Sequence, residues 1–257
     1  MSAKGDGMEK SGWIIYHDGE ISDRIKEKEI IGEIDQKLLR LDELKSMWLS
    51  YSEKKQLVLY IDGLGWHQLK ASLPQCPYFS TFNKACALSS WPPITNTALA
   101  SMLSGADASV HQIKSHADRS LKLSTIFDEY PGRCVYIEGE RTILYTQQSA
   151  LLNPRDEKDS DQAVLSCMRE NLDYDFIFVH IHGYDDVCHH YSPQSRQAID
   201  KLIWLDGQLS QLLSDVKGMI WLISDHGQHA NEDKGEHGSF CEADMLVPIG
   251  LRVNENE

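Results

Sequence analysis

The sequence predicts an α/β fold built on a mainly parallel sheet. Three observations carry that expectation. Apolar runs of strand length recur at residues 57–61, 176–181, 219–224 and 245–251, and segments with helical spacing of apolar residues lie between them. The first three runs also deliver Asp, or Asp with His, just beyond their carboxyl ends, which is where open parallel sheets bind ligands.

A chain of 257 residues, 41% hydrophobic and 25% charged, has the composition of a globular domain with a sizeable core. Its formal charge of −14 disfavours a nucleic-acid polymer as partner, because phosphate chains are held chiefly by Lys and Arg. The same charge does not oppose a small phosphorylated substrate if bound cations reverse the local field. The amino terminus MSAKGDGMEKSG lacks the apolar segment of a secretory signal, and no run reaches membrane-spanning length, so the expectation is a cytoplasmic protein with no membrane partner. Six cysteines without a CxxC pair read as reduced thiols. Nothing in the pattern signals an oligomeric state.

Taken in order, residues 1–55 read as a helical extension packed on a domain of residues 56–257. Residues 13–16 could form a short strand, and residues 23–51 carry apolar side chains at helical spacing between charges, as one or two amphipathic helices do. Residues 57–61 (LVLYI) form a strand that stops at Asp62-Gly63-Leu64-Gly65, where glycine lets the chain turn tightly behind a carboxylate. Residues 66–73 read as a helix ended by Pro74. After a loop and a short apolar stretch, Pro92 and Pro93 hold the approach to Thr95 and Thr97 extended, and either threonine could open a helix with Leu99, Met102 and Leu103 facing inward. A hydroxyl at a helix amino end is a place to hold an anion, and equally the ordinary place for an N-cap. A helix at 123–130, a strand at 133–137, a long loop at 138–158, helices at 159–172 and 195–216 and the strand at 176–181 complete the alternation.

Two stretches carry the chemistry. In HGYDDVCHHYSP, Asp185 and His189 stand four apart, as do Asp186 and His190, and one of these pairs can turn a carboxylate and an imidazole to a common centre. In WLISDHGQHANEDKGEHGSF, a core strand ends in Asp225-His226, and His237-Gly238 follows one loop later, which looks like half of a transition-metal site.

Together, Asp62-Gly63, Thr95, Asp185-x-x-x-His189-x-Tyr191-x-Pro193, Asp225-His226-Gly227 and His237-Gly238 resemble the alkaline phosphatase superfamily, and most closely its nucleotide pyrophosphatase/phosphodiesterase (type I phosphodiesterase) branch. The resemblance runs from residue 57 to about residue 251. It implies a three-layer α/β/α sandwich and two divalent metal ions, usually zinc in this branch, with manganese or iron in relatives. By motif position, Asp185, His189 and His237 would hold one ion, and Asp62, Asp225 and His226 the other. Thr95 matches the family nucleophile, ten residues before Gly105. His116 stands where the branch carries a phosphate-binding Asn, and His116 and Asn96 are the candidate substrate-binding side chains. The implied activity is hydrolysis of a phosphodiester or nucleotide-like phosphoanhydride through a phosphothreonine, with a phosphomonoesterase or phosphotransferase as the alternative, and a metal-braced binding module behind both. The chain lacks the Cys/Ser-x-Pro-x-Arg of sulfatases and is short for the family, so long substrate-reading inserts are expected to be reduced.

Overall fold

A computed structural model describes residues 39–147, 151–155 and 160–254. The expected strand at 13–16 and most of the expected helical segment at 23–51 lie outside the described residues. The end of that segment is seen: helix α1 (Leu44–Ser50) follows a 3-10 turn at Leu41–Glu43, and Leu41, Leu44, Met47 and Trp48 enter the core.

The strands are β1 (Gln56–Ile61), β2 (Asn83–Leu88), β3 (Cys134–Ile137), β4 (Leu151–Leu152), β5 (Phe176–Ile181) and β6 (Gly218–Ile223), then the hairpin β7 (His229–Asn231) and β8 (Lys234–Glu236), and finally β9 (Leu246–Asn254). The longer helices are α2 (Trp66–Ser72), α3 (Thr95–Ser104), α4 (Ser160–Glu170), α5 (Gly183–Tyr191) and α6 (Arg196–Leu213). Seven strands form one sheet in the order β2-β9-β6-β1-β5-β3-β4. Strands β6, β1, β5, β3 and β4 pair in parallel, while β9 runs antiparallel to both β6 and β2. The last strand is therefore the exception in a mainly parallel sheet. The helix expected at 123–130 contracts to one turn, Ile126–Glu129, which a Thr125/Asp128 capping box starts.

The alternation of side chains along the central strands builds two cores, one per face. Val58 and Tyr60 of β1, with Phe176 and Phe178 of β5 and Trp221 of β6, pack against Trp48 of α1 and Leu99 and Met102 of α3. Leu57, Leu59 and Ile61, with Ile177, Val179 and Leu222, face Leu165 of α4 and Leu202, Leu205 and Leu209 of α6. All of these side chains are fully or almost fully buried, and each such burial stabilises the fold by roughly 1.5–3 kcal/mol. The result is helix, sheet, helix: the α/β/α sandwich. Gln56, at the start of β1, is buried but satisfied. Its Nε2 donates to the Trp48 and Tyr51 carbonyls at 2.7 and 3.0 Å, and its Oε1 accepts from Trp221 Nε1 at 3.0 Å.

Candidate active site

Because β5, β1 and β6 are adjacent and parallel, the residues after them share one end of the sheet. Asp62 follows β1, His182 and helix α5 follow β5, and Asp225 and His226 follow β6. Two glycines let these connections close on each other. Gly63 takes φ +71°, and a Cβ there would stand 2.5 Å from Asp185 Oδ1. A Cβ on Gly227 would overlap the Ala243 carbonyl oxygen, so the loop after β6 lies directly on the segment that leads into β9.

Asp62, Asp225 and His226 bring ligand atoms within 4.8 Å of one another, and so do Asp185, His226 and His237. His226 is the link between these groups. Its Nε2 lies 3.5 Å from Asp62 Oδ1 and 3.2 Å from Asp225 Oδ2, and its ring stacks on that of His237 with centroids 3.7 Å apart. His189 places Nε2 3.2 Å from Asp185 Oδ2 and Nδ1 2.9 Å from the Gly235 carbonyl, with its ring 5.1 Å from His237. Of the two pairs on α5, Asp185 and His189 face each other, while His190 turns its Nδ1 to the Asp186 carbonyl at 2.8 Å. The six side chains expected as ligands thus meet at one end of the sheet.

Asp62 belongs to a third group as well, with His180 and His182. Its Oδ2 lies 3.0 Å from His180 Nε2 and 2.9 Å from His182 Nδ1. His180 Nδ1 lies 2.9 Å from Glu138 Oε1, which also accepts from the Tyr136 hydroxyl at 2.7 Å. Glu138, His180 and Asp62 are all buried, so a carboxylate–imidazole–carboxylate chain runs beneath the site. The sequence reading does not reach Glu138, His180 or His182. Its available signal is the His inside FIFVHI: in a strand buried on both faces an imidazole must find a protein partner.

The electrostatics follow from burial and from these neighbours. Burial alone would raise the Asp62 carboxyl, but hydrogen bonds from His180 and His182 outweigh it and hold Asp62 well below the usual carboxylate range. At Asp225, burial and the Asp62 charge outweigh the opposing pull of His226 and the Gly63 N–H and push the carboxyl up to about 6. His237 is held down at about 4 by burial and by the adjacent His226, whereas Asp185 raises His189 to about 9. The residues present fit divalent metal ions. Asp225 Oδ2 is buried with no hydrogen-bond partner, close to the Asp62 carboxylate, and two buried carboxylates crowded in this way are what a dication relieves.

Thr95 is the first residue of α3, and the N-cap position belongs to Ile94, with no side-chain cap hydrogen bond. The capping reading of this hydroxyl therefore does not hold. Thr95 Oγ1 lies 3.3 Å from His226 Nε2 and 3.5 Å from Asp62 Oδ1, and it lines a cavity of about 420 Å³ together with Asp62, His182, Asp185, His189 and His237. Thr97 is fully buried and does not line this cavity. His116 does, with its ring 5.9 Å from that of His237. Asn96 is not among the lining residues: its Nδ2 donates to the Asp118 and Ile143 carbonyls at 3.0 and 3.5 Å, which braces the loop carrying His116. Arg141 also lines this cavity, and among the described residues no carboxylate pairs with it.

Residues 145–246 match the family model of type I phosphodiesterase / nucleotide pyrophosphatase. No curated protein matches the chain at the level of sequence. Among solved structures, the fold is similar to phosphonoacetate hydrolase from Sinorhizobium meliloti, with TM-score 0.54 and 16% identity over 70% of this chain and 58% of that one. Murine ectonucleotide pyrophosphatase / phosphodiesterase 5, an inactive variant in complex with AMP, gives 0.56 and 16% over 68% and 57%. A 2-O GAG sulfatase gives 0.60 and 11% over 78% and 64%. The chain spans less than two thirds of the length of each of these three proteins. It has an alkaline-phosphatase-like α/β fold and, over residues 145–246, the sequence pattern of the type I phosphodiesterase / nucleotide pyrophosphatase family.

Proposed function

We propose that the chain is a divalent-metal-dependent phosphoester hydrolase that acts on a phosphodiester or nucleotide-like phosphoanhydride, with Thr95 as nucleophile. The observation that carries the proposal is the position of Thr95 Oγ1: released from capping, at the amino end of a ten-residue helix, and within 3.5 Å of both Asp62 and His226. The first intrahelical bond is Ala98 N–H to the Ile94 carbonyl, so the amides before it point out of the helix end and can hold phosphoryl oxygens.

Asp62, Asp225 and His226 would hold one ion, and Asp185, His189 and His237 the other; zinc is the ion we favour for this mixed imidazole and carboxylate set. Such ions supply positive charge, which lowers the pKa of the Thr95 hydroxyl and neutralises the phosphoryl and leaving-group oxygens. Thr95 Oγ forms the new P–O bond as the bond to the leaving group breaks, and water then cleaves the phosphothreonine and restores the hydroxyl. His189 and His237 are oriented for ligation because their other ring nitrogens face the Gly235 and Pro93 carbonyls, at 2.9 and 3.2 Å. His116 and Arg141, which line the same cavity, would meet the substrate's remaining negative charge.

The test is Thr95→Ala, assayed on bis-p-nitrophenyl phosphate and p-nitrophenyl phosphate with metal content measured in parallel. Turnover should fall on the order of 10³-fold or more while metal content and circular dichroism are kept. Unchanged turnover would remove Thr95 from the reaction, and a clear preference of the parent for the monoester would move the activity to a phosphomonoesterase.

A further inference from the structure

The connection from β6 to β9 carries a second set of metal-ligating side chains, separate from the cavity that holds Thr95. His229 in β7, Cys241 and Asp244 bring an imidazole nitrogen, a thiol sulfur and a carboxylate oxygen within 4.8 Å of one another. None of the three lines that cavity. Asp244 is fully buried, and its two carboxylate oxygens lie 2.8 and 3.1 Å from His229 Nδ1. The Ser239 N–H donates to Asp244 Oδ2 at 2.8 Å, and the Asp244 carbonyl accepts from the Gly227 N–H at 2.9 Å. Cys241 opens the single helical turn Glu242–Met245, which places its side chain and that of Asp244 one turn apart on the same short segment.

We propose that His229, Cys241 and Asp244 bind a further divalent cation of the zinc type, which staples the loop that delivers His226 and His237. The donor set argues for this class of ion. Sulfur, nitrogen and oxygen together suit a borderline-soft dication, whereas magnesium and calcium take oxygen ligands. Ligand atoms at tetrahedral zinc distances are about 3.3–3.8 Å apart, inside the observed spread. His229 and Cys241 are only partly buried, which leaves a side open for water as a fourth ligand. Binding would exchange the Cys241 thiol proton, released to solvent, for a metal–sulfur bond. The three residues bracket His237 in the chain, and the Asp244 carbonyl holds Gly227, the neighbour of His226. A cation here would therefore tie together the two ends of the segment that carries His237 and, through the Asp244 carbonyl, steady Gly227 beside His226.

Sulfur distinguishes this site from the other candidate groups among the described residues, since those contain only Asp and His. The metal-free full-length chain is titrated with Co²⁺. The parent should develop a near-ultraviolet sulfur-to-cobalt charge-transfer band whose final amplitude corresponds to one thiolate-bound Co²⁺ per chain, and Cys241→Ser should lose the band while the visible cobalt absorption of the other sites remains. Zinc content should likewise fall by one ion per chain. In case Cys241→Ser fails to fold, maleimide labelling of the parent gives an independent reading: zinc should slow modification of Cys241 by about tenfold or more. The partly buried Cys134 and Cys167 serve as unprotected controls. Absence of the band in the parent, a band that persists in Cys241→Ser, or equal labelling with and without zinc would each overturn the proposal and reduce the cluster to a His229–Asp244 ion pair beside a thiol.

Discussion

Glu138→Gln isolates the buried chain beneath Asp62. Burial alone would raise the Glu138 carboxyl, but hydrogen bonding to His180, the neighbouring His182 and the Tyr136 hydroxyl outweigh it and hold the group at about 2, against 4.5 when unperturbed. A carboxyl whose pKa is lower in the folded state stabilises the fold fully above its unfolded value, and that stability is lost as pH falls towards the folded value. The difference corresponds to about 3 kcal/mol at neutral pH, falling to about 2 kcal/mol near pH 3.5. Glutamine keeps the shape and one acceptor for His180 but not the charge. Urea unfolding with chelator present, so that metal linkage does not enter, should show Glu138→Gln less stable than the parent by about 3 kcal/mol at pH 7. The gap should narrow as the solution is acidified. A difference below about 0.5 kcal/mol at pH 7, or one that widens in acid, would show that Glu138 is not the charged partner of His180.

Asp225→Asn has the opposite sign. A carboxyl raised from 3.8 to about 6 contributes stability that is present below pH 3.8 and lost as pH rises through 6, so the metal-free parent carries a penalty of up to about 3 kcal/mol at neutral pH. The variant should unfold at higher urea than the chelated parent while binding fewer ions, and a destabilised variant would refute the reading. Metal uptake should depend on pH through His189, which Asp185 raises to about 9 and which must be neutral to ligate. Below pH 9 this group alone should give about a tenfold gain in apparent affinity per pH unit, measured by competition titration between pH 6.5 and 8.5, and a flat profile would exclude His189 as a ligand.

The fold was legible where burial leaves one choice. The runs LVLYI and FIFVHI are apolar enough to be strands covered on both faces, and β1 and β5 lie there. Asp62, Asp185, Asp225 and His226 were readable because a carboxylate or imidazole at the mouth of such a strand is hard to explain otherwise. The antiparallel direction of β9 was not readable, because a strand's own side-chain pattern is the same whichever way its neighbours run. The local pattern leaves both Thr95 and Thr97 able to open the helix, because periodicity does not fix a helix end to within two residues; only the distance to Gly105 in the resemblance favours Thr95. Glu138 and His180 escaped for a related reason. Each lies in or next to an apolar strand run, and their partners are distant in the chain.

The place of β1 in the sheet sets a schedule for making the protein. It is the middle strand, yet it is the first of the seven to leave the ribosome, and its two neighbours begin only at Phe176 and Gly218. Until those arrive, Asp62 has no companions, and the nascent chain has nowhere to keep an ion in the native arrangement. If the proposed ions bind there, they can be seated only after β6 and the segment carrying His237 have been made, so a cell short of the ion would accumulate folded but empty chains.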